Sequence, residues 1–129
     1  MITSKQIRAV IKAEYPNAKN VWLRDKQYHA FSFDELEKFV NENTPITGPG
    51  DCDDFSTILH GKAKQFGLDP WKGTLAFGEC LLNMYRGMKM AHSMNIAVTS
   101  DLKLYLVEPQ MGGLWLADSK EDGVYFVWI

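Results

Sequence analysis

One boundary constrains this chain more than any other: the spacing of its apolar residues changes period at Pro70. Before it, apolar residues recur every three or four positions, as on one face of a helix; after it they alternate, as on one face of a strand. Ile7, Val10, Ile11 and Tyr15 form a first stripe, Leu36, Phe39 and Val40 a second, and Phe55, Ile58, Leu59, Ala63 and Phe66 a third. Thr3 with Gln6 and Ser32 with Glu35 have the spacing of capping boxes, so two helices are predicted to begin there. Pro16-Asn17, Pro45 and Gly67 are the predicted stops. Val21 and Leu23 alternate in a predicted short strand over 20–23. Past Pro70, segments 74–82, 91–99, 103–107, 114–117 and 124–129 read as strands. Helices first and strands afterwards predict an α+β fold with an antiparallel sheet. No repeat, low-complexity tract or linker interrupts it, so one domain is predicted over 1–129.

Composition narrows the partners. With 46% hydrophobic and 12% aromatic residues, 129 residues can bury a core without disulfides. Net charge is −2 and the 14 Lys and Arg residues are scattered, which argues against nucleic acid or an acidic membrane as partner. No apolar run approaches the roughly 18 residues of a membrane span. The opening Met1-Ile2-Thr3-Ser4-Lys5-Gln6 lacks the features of a secretory signal, so a reducing cytoplasm is the expected compartment; a virus-encoded chain, from a phage for example, would look the same. Two cysteines, Cys52 and Cys80, without a CxxC pair, give free thiols rather than a disulfide framework or zinc site. Oligomeric state leaves no mark in the sequence.

The residues that carry chemistry begin with Cys52. It follows Gly48-Pro49-Gly50-Asp51 at the start of the third helical stripe, where helix N–H groups and dipole lower a thiol's pKa and can hold an oxyanion. His92 is in phase with Met94, Ile96 and Val98, and Glu108 with Leu102, Leu104 and Leu106. A three-residue hairpin loop at Thr99-Ser100-Asp101 would place Val98 opposite Leu102 and His92 opposite Glu108, within hydrogen-bonding reach on a buried face. Cys52, His92 and Glu108 are therefore the candidate catalytic residues: a thiolate nucleophile, a general base and its orienter. The expected activity is a cysteine-dependent hydrolase acting on a peptide or another amide. A transglutaminase-type acyl-transferase and a catalytically silent binding or structural module on the same scaffold are the alternatives.

Three short motifs support that reading by likeness. Gly50-Asp51-Cys52-Asp53-Asp54-Phe55, Ala91-His92-Ser93-Met94-Asn95 and Val107-Glu108-Pro109-Gln110 resemble the nucleophile, histidine and acid motifs of papain-like and transglutaminase-like cysteine peptidases. Within that superfamily they are most similar to a protease domain at the C-terminus of a fungal agglutinin. The resemblance implies a papain-like fold, and calcium bound through acids that here map onto Asp53 and Asp54. Gln27 is the only glutamine near the place of an upstream oxyanion side chain.

Electrostatics gives the metal its own argument. Carboxylates beside Cys52 oppose the helix field and raise the thiol's pKa, and a bound Ca²⁺ or Mn²⁺ would reverse that. Helix capping explains the same three acids without a metal. Asp53 and Asp54 are consecutive on a helix, so their side chains are expected to diverge by about 100°. Cys80 and Asn95 read as structural, His29 and His60 as surface residues. No phosphate-binding glycine loop or dinucleotide fingerprint is present, so no organic cofactor is expected.

Overall fold

The computed structural model describes residues Met1–Ile129. In chain order its elements are β1 (Ile2–Thr3), α1 (Ser4–Glu14), β2 (Asn20–Trp22), β3 (Gln27–Tyr28), α2 (Phe33–Asn43), α3 (Cys52–Leu68), β4 (Phe77–Tyr85), β5 (Met88–Val98), β6 (Leu104–Glu108), β7 (Gly113–Leu116) and β8 (Gly123–Trp128). Three helices and a mostly antiparallel sheet make the fold α+β. Both capping boxes form. Gln6 N–H donates to Thr3 Oγ1 at 3.1 Å and Thr3 N–H to Gln6 Oε1 at 2.9 Å. Glu35 and Ser32 exchange the same two bonds at 3.2 and 2.9 Å.

The main sheet has the order β2-β8-β4-β5-β6-β7, with β2 parallel to β8 and every other pair antiparallel. Because strand side chains alternate, each face gathers its own core. On one face Met94, Ile96, Val98, Leu104 and Leu106 pack with Ile7 and Ile11 of α1. On the other, Ala97 and Val107 pack with Leu36 and Phe39 of α2 and Leu59 and Ala63 of α3. Each fully buried Leu, Ile or Phe contributes about 1.5–3 kcal/mol of transfer free energy.

Three expectations about the elements are corrected. The β5–β6 loop runs Thr99–Lys103, five residues instead of three, and Val98 faces Leu104, not Leu102. Leu102 sits at φ 61, a left-handed conformation that no strand residue adopts. Gly67 does not end α3, which runs one residue further; a Cβ there would lie 2.6 Å from the carbonyl oxygen of Gly73, so the glycine serves close approach. The β4–β5 hairpin is longer than alternation predicts and turns at Arg86-Gly87, with φ of 52 and 82. Two consecutive positive φ values suit the right-handed twist of a hairpin. β1 and β3 form a separate two-stranded sheet in which Gln27 pairs with Thr3.

Candidate functional site

The loop into α3 turns on Gly48 and Gly50, at φ 119 and 140, and delivers Cys52 as the first residue of the helix, as expected. The thiol is half-buried. One turn further along the same stripe, Ser56 Oγ lies 2.7 Å from Ser93 Oγ, and its carbonyl accepts from Asn95 Nδ2 at 2.8 Å. Asn95 also donates to the Gly78 carbonyl, so its structural role is observed. The N-terminal turns of α3 are thereby fixed to the sheet face that carries Ser93, Asn95 and Ala97.

His92 belongs to the alternate row, with Met94, Ile96 and Val98. Its Nε2 lies 2.5 Å from Glu108 Oε2, both side chains being nearly out of solvent. With Asn95 opposite Val107, Glu108 sits across from Met94 and is the diagonal neighbour of His92, not its direct partner. A long carboxylate side chain spans that diagonal. Glu108 Oε1 also accepts from Gln110 N–H at 3.2 Å, and the Tyr85 ring packs 4.4 Å from the imidazole. Burial, and next the Glu108 carboxylate, push the Tyr85 hydroxyl above its usual range. The structure therefore joins His92 to Glu108, and no hydrogen bond joins the Cys52 thiol to the imidazole.

Asp51, Asp53 and Asp54 each place a carboxylate oxygen within 4.8 Å of the others at the start of α3. Asp54 Oδ2 accepts from Asp51 N–H at 3.0 Å. Hydrogen bonding to Asp53, and then to Asp54, holds the Asp51 carboxyl above its ordinary range, while the same contact lowers Asp53. The side chains converge on Asp51 instead of diverging.

A second histidine–acid pair escaped the sequence reading. His60 is buried, not on the surface, with Nδ1 2.6 Å from Glu79 Oε2; Glu79 Oε1 accepts from Thr57 at 2.8 Å. The signal was present: Thr57 and His60 share an i,i+3 stripe of α3, and Glu79 alternates with Cys80 onto the face that α3 covers. The His60 ring meets the edge of Trp128, the register partner of Glu79. Cys80 is fully buried, as expected, and burial pushes its thiol far up.

No protein-family model and no curated protein matches the chain. Solved structures do. PSL1a in complex with E64 matches at a TM-score of 0.74 and 22% identity, covering 97% of this chain and 49% of that one. The Polyporus squamosus lectin bound to the human-type influenza-binding epitope Neu5Acα2-6Galβ1-4GlcNAc matches at 0.71 and 22%, covering 97% and 48%. The fold is shared with a lectin. The chain spans about half the length of these structures. Where a papain-like or transglutaminase-like cysteine peptidase or acyl-transferase acting on a peptide or amide was expected, the comparisons return a lectin bound to a sialylated epitope, and the expectation is corrected on that finding.

Proposed function

We propose that this chain is a binding module that acts without a covalent step, with glycans as its ligand class. The observation that carries the reading is the fold shared with a lectin at a TM-score of 0.71 over 97% of the chain. The lectin that shares the fold, bound to a sialylated epitope, supplies the ligand class. The test has two arms. On an array of sialylated and neutral oligosaccharides the folded chain is expected to bind, and binding to no glycan overturns the ligand class. Iodoacetamide near pH 7 is expected to label Cys52 at the slow rate of an ordinary thiol. Fast labelling that His92→Ala abolishes would overturn the non-covalent reading.

The three aspartates at the start of α3 support a second element of the proposal, a Ca²⁺ or Mn²⁺ ion held by Asp51, Asp53 and Asp54. Their oxygens lie close enough together for one ion. Protein carboxylates would fill part of the coordination and water the rest. Calcium at a hundred times its dissociation constant adds about 2.7 kcal/mol of stability, so the melting temperature is expected to rise and Asp54→Ala to remove the rise. An unchanged melting temperature with millimolar calcium or manganese returns the three acids to helix capping.

A further inference from the structure

Three neighbouring strands place Glu79, Trp128 and Trp22 in one row across the sheet: Glu79 is the register partner of Trp128, and Trp128 that of Trp22. The residues one position earlier, Val127 and Val21, are buried on the α1 side, so the two indoles stand on the opposite face. α3 covers Glu79, reaches the edge of Trp128 and leaves Trp22 beyond it. Trp22 is 62% exposed and Trp128 38%. Two adjacent exposed indoles are unusual on a folded surface, where such patches mark binding sites.

One cation stands directly against the row. The Arg24 guanidinium lies 5.3 Å from the centre of the Trp128 ring. Lys64 of α3 is near enough to feel it: burial first, and then the charge of Arg24, lower the Lys64 ammonium, while Asp25 works the other way. In the same row the Glu79 carboxylate is held in place, one oxygen accepting from Thr57 and the other paired with His60.

We propose that Trp22, Trp128 and Arg24 form the seat of a carboxylated sugar ring, a site that rests on the glycan-binding reading above. The apolar face of a pyranose covers an indole, and its carboxylate takes the guanidinium, which binds such groups in a fork of two hydrogen bonds. A neutral sugar satisfies the indoles and leaves the Arg24 guanidinium without an anion, so the seat discriminates by charge.

The experiment titrates Neu5Acα2-6Galβ1-4GlcNAc, and separately Galβ1-4GlcNAc, into the full chain carrying ¹⁵N-labelled tryptophan. The sialylated sugar is expected to shift the indole N–H signals of Trp22 and Trp128 and leave that of Trp115, whose N–H is held by Asp122, in place. Loss of the carboxylate, Trp22→Ala and Arg24→Gln are each expected to weaken binding about tenfold or more, the scale of one charge-assisted contact. Both substituted residues lie at the end of or beyond the short strand β2, and circular dichroism checks the fold of each variant. Sialoglycan binding that both variants retain overturns the seat and leaves the glycan reading standing. Equal binding of the two sugars overturns the seat as well. No binding of either sugar fails the seat and the glycan reading together.

Discussion

Glu79 shows how a buried carboxylate becomes part of the scaffold. Burial acts to raise its pKa, but hydrogen bonds from His60 and then Thr57 outweigh that, and the net shift is downward from an ordinary value of 4.5. A carboxylate lowered on folding stabilises the protein in full above its unfolded value and loses that contribution as pH falls through the folded one. Glu79→Gln is therefore expected to cost about 1–3 kcal/mol at pH 7, and the gap to the parent chain should narrow below about pH 4.5. Urea midpoints at pH 7 and at about pH 3 check it; an equal gap at both refutes the assignment. At this scale the sequence was half legible. Alternation put His92 and Glu108 in one row and made their contact readable, whereas nothing in a strand's period says which face a helix will cover. The polar residues Ser93 and Asn95 were the clue that α3 lies on their side, since each needs a partner when buried.

Helix starts were legible because a capping box is a local device, complete within four residues. Strand registers were not, because they depend on turns whose conformation is set by contacts elsewhere. The five-residue loop after Val98 moved the β5–β6 register by two positions, which kept Glu108 on the face of His92 but made it a diagonal neighbour. A slip of one would have sent it to the opposite face. The tightest joint between elements was also silent in the sequence. A Cβ on Gly78 would lie 2.0 Å from the Trp128 carbonyl oxygen and 2.8 Å from the Ile129 Cα. Both are backbone contacts that no rotamer change relieves. Gly78→Ala is expected to destabilise the protein by about 3 kcal/mol or more, the upper range for overpacking. A urea midpoint close to that of the parent chain would mean that β8 can move away from β4 at little cost.

Across the whole molecule, one sheet separates two cores, and β4, β5 and β6 contribute side chains to at least one of them on each face. Cores that share a wall lose it together. Unfolding in urea is therefore expected to be a single transition, with tryptophan fluorescence and far-UV circular dichroism coinciding. Separate midpoints would divide the one domain expected from the sequence into two units. The α+β class was legible from the change of period at Pro70, but the parallel pairing of β2 with β8 was not, because it joins segments roughly a hundred residues apart. That pairing dictates an order of events during synthesis. β8, the latest of these strands in chain order, fits between β2 and β4, so until it is made both neighbours keep an unpaired edge and Val21 lacks its partner. A nascent chain stalled before Gly123 is a template for strand addition by other chains. Cells making this protein have reason to shield it until β8 has been made.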